Sequence, residues 1–476
     1  MPTNTPSKDA TGPARPFDAI IIGTGQAGPS LAGRLDAAGM RVAIIERHLV
    51  GGTCVNTGCK PTKTLVASAY AAQMARRGAD YGFSAGPVSV DMQVVEARAR
   101  KVILDSRKGN EDWLAGMAGV ELIRGHARFE GPGVVAVNGE RLAAPRIFIN
   151  VGGRASVPDM PGLADVPYLT NSSIVELTTL PRHLVVVGGS YIGLEFAQMY
   201  RRFGAEVTIL ERSDRLISRE DPDISDAVRG ILEDEGIQVH TGADQMAFKR
   251  VEGGVGVSFK TRDGETEVVG SHVLIAIGRR PNTDDLGLDS AGIERDARGY
   301  ITVDDHLQTS VPGIWALGDC NGRGAFTHTA YNDFEIVAAN LLDGEDRRVS
   351  SRVPGYALYI DPPLGRAGMS ETEAAKTGRP LLFAKREMTR VGRAVEKGES
   401  KGFMKVVADA ETRRILGAAI LGTGGDEAIH GILDMISADR PLDELRWAVP
   451  IHPTVSELIP TLLVDLAPAP SPSPGS

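Results

Sequence analysis

"FDAIIIGTGQAGPSLAGRLDAAGMRVAIIE", residues 17–46, joins a β-branched apolar run, a glycine turn, an Ala-rich amphipathic stretch and a second apolar run ending in Glu46. The change of period predicts strand, helix, strand. Gly23, Gly25 and Gly28 stand at the GxGxxG spacing. The first makes a tight turn, the second lets a pyrophosphate approach the backbone, and the third lets the helix pack close on the strand. The phosphates belong at the helix N-terminus, where unpaired N–H groups and the helix dipole favour negative charge. Glu46 is placed to hold a ribose hydroxyl.

The same grammar returns in "HLVVVGGSYIGLEFAQMYRRFGAEVTILE", residues 183–211, with Gly188, Gly193 and Glu211 in the matching places. Ser190 replaces the middle glycine. It adds one hydroxymethyl group, so a slightly shifted pyrophosphate is expected rather than a lost site. Two dinucleotide sites in one chain suggest electron transfer between them, and a fold of α/β class with two Rossmann-like domains.

"GGTCVNTGCKPTK", residues 51–63, places Cys54 and Cys59 five positions apart in a chain with three cysteines. A structural zinc site normally draws four ligands from paired CxxC units. Cys320 and nine scattered histidines do not complete such a set, so no metal site is expected. The leader "MPTNTPSKDATGPARP" has no apolar core like that of a secretory signal, which points to the reducing cytoplasm and against a static disulfide. A dithiol that cycles is the third reading, and the rest of the chain must decide.

The 476 residues are 42% hydrophobic, enough for two or three domains with full cores. A formal net charge of −9, with both signs spread along the chain, argues against nucleic acid and offers no basic stripe to a membrane. No apolar window approaches a bilayer span. Small-molecule partners are favoured. The leader and "APAPSPSPGS", residues 467–476, are too poor in apolar residues to order themselves.

With these pieces in order, the chain resembles the class I pyridine nucleotide-disulfide oxidoreductases: glutathione reductase, lipoamide dehydrogenase, mercuric reductase and their relatives. The likeness covers roughly residues 17–465. It rests on the two fingerprints, on "GGTCVNTGC", on "GRRPN" at 278–282, "GIWALGDCNG" at 313–322 and "IHPTVSE" at 451–457. The resemblance implies FAD at the first site, NAD(P)H at the second and a C-terminal dimerisation domain. The expected division is a tail at 1–16, a discontinuous FAD domain at 17–155 and 276–343, an NAD(P) domain at 156–275, a dimerisation domain at 344–466 and a tail at 467–476.

It also implies roles for individual residues. Asp319 lies near the flavin ribitol and pyrophosphate, the backbone near Ala127 at the adenine, and Thr53 and Gly278 among the cofactor contacts. Lys63 sits beside the flavin with Glu195 as its acidic partner, and Tyr191 is the aromatic gate of the nicotinamide pocket. Each has an ordinary structural reading as well: Lys63 as a helix-surface charge, Glu195 as a solvated helix residue, Tyr191 as core. Cys59 faces the flavin and Cys54 the substrate. His452, with Glu457 to fix its tautomer, is the acid-base pair, contributed in relatives by the other subunit of a homodimer, and His452-Pro453 resembles a cis peptide. Cys320 reads as a small buried hydrophobe.

"KPTKTLVASA", "IDPPLGRAGMSETEA" and "LERSDRLISREDPD" look most like the mercuric-reductase branch, but no cysteine follows Cys320 to deliver a metal ion, and a mercuric reductase lacks the histidine that His452 supplies. A small or protein disulfide, or a related oxidant, is therefore the expected acceptor. A metal-ion reductase and a lipoamide dehydrogenase subunit are the alternatives. Glu211 favours NADH by repelling a 2′-phosphate, while Arg212 beside it can rescue NADPH.

Overall fold

The computed structural model describes residues 12–468. The chain divides into two compact units. The first holds the chain up to Thr64, Glu96–Ser156 and Gly278–Ser351, and the second holds Leu65–Val95, Val157–Ile277 and the chain from Arg352.

The first unit is built on a five-stranded parallel sheet, in the order Ile314–Ala316, Ile147–Ile149, Ala19–Ile22, Val42–Glu46, Val120–Arg124. Its central strands are buried on both faces, which is why they read as continuous apolar runs rather than alternating ones. Helices Ala27–Ala37 and Thr327–Ala338 bury Leu31, Leu35, Phe334 and Val337 in one core with Phe148 and Ile44. After the first strand the chain adds Val42–Glu46 and Val120–Arg124 on one side, then returns to lay Ile147–Ile149 on the other. The Gly23 turn thus opens at the point where the strand order reverses, the usual ligand crevice of such sheets.

The second unit repeats this plan. Its parallel sheet runs Gln238–His240, Glu206–Leu210, His183–Val187, His272–Ile275, and the Gly188 turn opens at the corresponding reversal. The same unit carries a six-stranded antiparallel sheet containing Gly355–Leu358, Leu364–Gly368, Ile415–Leu421, Phe403–Asp409 and Leu381–Glu387. The fold is the glutathione reductase-like α/β architecture that the sequence predicts.

The expected tails are shorter than the sequence reading has them. Arg15–Pro16 pairs with Leu142–Ala143, and Ala467–Pro468 pairs with Leu382–Phe383. Both are two-residue strands at sheet edges, where a proline's missing N–H leaves no ladder bond unmade. The remainder of each expected tail, 1–11 and 469–476, lies outside the described residues.

Candidate active site

Each glycine turn is fixed by close packing. A Cβ on Gly23 would lie 2.2 Å from the Asn150 carbonyl oxygen, and one on Gly28 would lie 2.4 Å from the Gly23 oxygen. In the second turn the corresponding distances are 2.5 Å, from Gly188 to Ala276, and 2.1 Å, from Gly193 to Gly188. Gly25 differs, because its Cβ would meet nothing nearer than Asn150 Nδ2 at 3.4 Å. Two glycines therefore serve the turn and the helix packing, and the middle one faces room that a pyrophosphate can use. Ser190 is exposed with φ −108°, ψ −178°, an extended conformation that any residue adopts, so the departure from glycine adds no strain.

The two acids that close the second strands hold these turns. Glu46 is buried and accepts from Thr24 N and Oγ1 through Oε2, and from His48 N at 2.9 Å through Oε1. Glu211 accepts from Gly189 N and from Ser213 N, both at 2.6 Å.

Cys54 lies in the short helix Gly52–Asn56, and Cys59 begins the helix Cys59–Arg76. Gly58 lets the two segments meet, since its Cβ would stand 2.9 Å from the Thr53 oxygen. Asn56 staples the loop by donating to Val50 O at 3.0 Å and Gly52 O at 2.9 Å, and its Oδ1 accepts both Nε and Nη2 of Arg107. Both cysteines are half-buried free thiols. The Cys54 thiol donates to Cys59, and that bond, with help from Thr327 and the Lys63 charge against the cost of burial, pulls Cys59 down to about 6. The same bond, burial and the Cys59 charge push Cys54 well above the ordinary thiol range. The two thiols are thus unequal, Cys59 being the one shifted toward its thiolate and Cys54 the one shifted toward its protonated form. Thr327, at the start of the helix Thr327–Ala338, lies 3.0 Å from Cys59 Sγ.

The remaining predicted residues fall into three groups. In the first unit, Asp319 pairs with Arg279 Nε at 3.4 Å, and Arg279 also reaches the Gly153 carbonyl and Thr53 Oγ1, drawing Asp319, Thr53 and the Gly278 segment to one place. Ala127 is buried in the same unit's core. In the second unit, Glu195 is buried and accepts from Tyr359 N at 3.0 Å, which overturns its ordinary reading as a solvated helix residue. Tyr191 is half-buried, and burial raises its hydroxyl to about 12. Lastly, His452 Nδ1 lies 2.7 Å from Glu457 Oε2, the imidazole 81% exposed and its carboxylate partner 14%. The His452-Pro453 peptide is cis, as the resemblance implies. Cys320 is fully buried, its Sγ donating to Leu317 O at 3.2 Å and its thiol raised to about 12 by burial.

Sequence reading missed Thr327, Arg279, Asn150 and Arg107. Arg279 stood within a quoted motif without a role. Thr327 sits 268 residues from the thiol it touches, in "FTHT", which follows no recognisable pattern.

Comparison with known proteins identifies the family and the fold. The model of the pyridine nucleotide-disulphide oxidoreductases matches residues 17–333, and that of their dimerisation domain matches residues 354–463. The probable pyridine nucleotide-disulfide oxidoreductase RclA of Escherichia coli (strain K12) is 35% identical over 455 residues, 93% of this chain and 97% of that one. A mercuric reductase of Bacillus cereus is 32% identical over 444 residues, 93% of this chain and 70% of its own. The solved structure of RclA, described as an HOCl-induced flavoprotein disulfide reductase, matches with a TM-score of 0.85 at 34% identity over 94% of this chain and 99% of that one. It has also been solved as a Cu(II) complex.

Proposed function

This chain belongs to the pyridine nucleotide-disulphide oxidoreductases, and from that premise we propose which residues carry the reaction of a flavoprotein disulfide reductase. Bound NAD(P)H and FAD supply the hydride and the electron pair that reduce the Cys54–Cys59 disulfide. The turn at Gly23, Gly25 and Gly28 with Glu46 binds FAD, joined by Thr53, Lys63, Ala127, Gly278 and Asp319. The turn at Gly188, Ser190 and Gly193 with Glu211 binds the nicotinamide dinucleotide, NADH in preference, and Tyr191 covers its pocket. The same reading divides the chain into FAD segments at 17–155 and 276–343, an NAD(P) segment at 156–275 and a dimerisation segment at 344–466.

The chemistry follows from the unequal thiols. Cys54 must lose its proton to attack a sulfur of the incoming disulfide. His452 takes that proton, held in one tautomer by Glu457, and returns it to the leaving thiolate. The Cys59 thiolate then attacks Cys54 Sγ in the mixed disulfide, expels the second sulfur as a thiolate and restores the Cys54–Cys59 bond. Lys63 steadies the Cys59 charge. In its own chain His452 stands exposed beside Trp447, Val449 and Ile451, which are 77%, 96% and 79% exposed. Such an apolar run is suited to cover by a second copy, so each site is completed by the partner's acid-base pair in a homodimer. Among the described residues no helix is long and apolar enough to cross a membrane. A working dithiol suits the cytoplasm.

The observation that carries this reading is the pair of half-buried free thiols Cys54 and Cys59 on either side of Gly58, with Thr327 Oγ1 3.0 Å from Cys59 Sγ. A second reading, reduction of a soft metal ion by the same thiol pair, is favoured by the Cu(II) complex of RclA and the likeness to mercuric reductases. Anaerobic oxidation of NADH and NADPH with a panel of small disulfides, a protein disulfide, a quinone, Cu(II) and Hg(II) separates the two. We expect disulfide-dependent turnover that falls to background in Cys54→Ala. Turnover with metal ions alone would favour the second reading, and disulfide turnover surviving in Cys54→Ala would overturn the first.

A further inference from the structure

Tyr191 opens the helix Tyr191–Phe203, directly after the Gly188 turn. Its ring meets the ring of Tyr356 edge-on, with centroids 5.4 Å apart and planes at 77°, and a side-chain hydrogen bond links the two. Tyr356 lies on the strand Gly355–Leu358, whose antiparallel partner Leu364–Gly368 sets Arg366 directly opposite it. Residues directly opposed in a ladder share one face of the sheet. Both side chains converge on Glu220: the Tyr356 hydroxyl donates to Oε1 and Arg366 Nη2 to Oε2.

This anchor is buried and braced. The Arg366 and Glu220 side chains are 2% and 0% exposed. Asp221 beside them accepts from Thr372 N at 3.1 Å and Glu371 N at 3.1 Å, and pairs with Lys405 Nζ at 3.1 Å. The helix that carries Tyr191 is tied to the same hairpin twice more, by Glu195 to Tyr359 N and by Gln198 to the N–H and carbonyl of Asp361, at 2.7 and 2.8 Å. A buried ion pair of this kind is weak evidence for stability but strong geometric definition, because releasing one partner strands the other's charge. The definition is delivered to one half-buried side chain, the ring of Tyr191.

We infer that Tyr356 is a positioning residue for the nicotinamide site, its hydroxyl anchored on the Glu220–Arg366 pair and its ring fixing that of Tyr191. The inference rests on the reading of Tyr191 as the gate of that pocket. A gate held in one rotamer binds the nicotinamide at a smaller ordering cost than a loose one. Removing the hydroxyl frees the ring from its anchor, and removing the ring leaves Tyr191 without its edge contact. An edge-to-face pair of this kind is equivalent to about a two- to tenfold change in affinity.

The test separates the half-reactions by anaerobic stopped flow on the FAD-loaded dimer. Flavin reduction is followed against NADH concentration, and reoxidation of the prereduced enzyme is followed with an aromatic disulfide. Tyr356→Phe should raise the NADH Kd about twofold or more and Tyr356→Leu about tenfold, with FAD content, dimer mass and reoxidation rate as in the unaltered protein. An unchanged Kd in both variants, or equal slowing of both half-reactions, overturns the inference. Tyr191→Ala, measured in parallel, keeps the two ideas apart. If it leaves the NADH Kd unchanged, the gate reading itself fails. If it raises the Kd while the Tyr356 variants do not, only the role of Tyr356 fails.

Discussion

Glu46 accepts hydrogen bonds from both the backbone N–H and the hydroxyl of Thr24, at 3.0 and 2.6 Å, so the acid at the end of one strand holds the glycine turn at the end of another. Glu211 does the same for Gly189 in the second unit. An acid read from sequence as a ribose ligand is therefore also a structural clamp, and replacing it affects the turn as well as the ribose.

Glu46→Gln puts an amide NH2 opposite the N–H of either Thr24 or His48, two donors facing one another. A bond to a charged acceptor contributes about 1.5–3 kcal/mol, so the dissociation constant for FAD should rise at least about tenfold, measured by flavin release on dilution. Full flavin retention would show that the clamp does not matter.

At Glu211 the two roles come apart. Glu211→Gln keeps its oxygen on the Gly189 N–H by turning its NH2 toward the Ser213 N–H, and it removes the charge that on the proposed reading repels a 2′-phosphate. The ratio of kcat/KM for NADH over NADPH should fall by about tenfold, through a gain with NADPH. A ratio that stays put, or one that begins in favour of NADPH, would reassign the preference to Arg212.

The Cys59 thiol, pulled down to about 6, carries its charge above that pH and loses it below. Thr327→Val removes a donor to the thiolate and should move this titration upward by about one to two units. Thr327→Ser should leave it in place. The long-wavelength absorbance of the two-electron-reduced protein against pH reads the shift directly, and a titration unmoved by Thr327→Val would remove that residue from the site.

Much of this was legible in the chain because local physics and function coincide there. Gly28 is forced by the Gly23 oxygen within its own strand–turn–helix unit, so that spacing in sequence is the spacing of the site, whereas Gly23 is forced by the distant Asn150 carbonyl. Cys54 and Cys59 are likewise local, five residues apart across Gly58. What the sequence hides is set by topology. Thr327 reaches Cys59 only because the helix Thr327–Ala338 packs in the core of the same sheet, and Arg107 reaches Asn56 from a distant helix. The ordinary alternative for Glu195, a solvated helix charge, arises because a helix pattern does not reveal that the Tyr359 N–H comes to meet it. The tails were drawn too long because composition does not report that two residues can still complete a sheet edge.

The exposed His452 leads to a mixing experiment. Cys54→Ala and His452→Ala homodimers should each be nearly inactive in disulfide turnover. In a dimer that shares its sites, one chain of each kind leaves one doubly damaged site and one intact site, so co-expressed, verified mixed dimers should recover substantial activity. If no activity returns, His452 serves its own chain.

The most direct measurement of the central claim is an anaerobic titration of the FAD-loaded protein with NADH, followed by its spectrum. Two electrons should leave the flavin oxidised beside an ionised Cys59, with a red-shifted charge-transfer band that is absent in Cys59→Ser. A band that survives in Cys59→Ser, or a flavin that bleaches fully with the first two electrons in the unaltered protein, would contradict the passage of electrons to the Cys54–Cys59 pair.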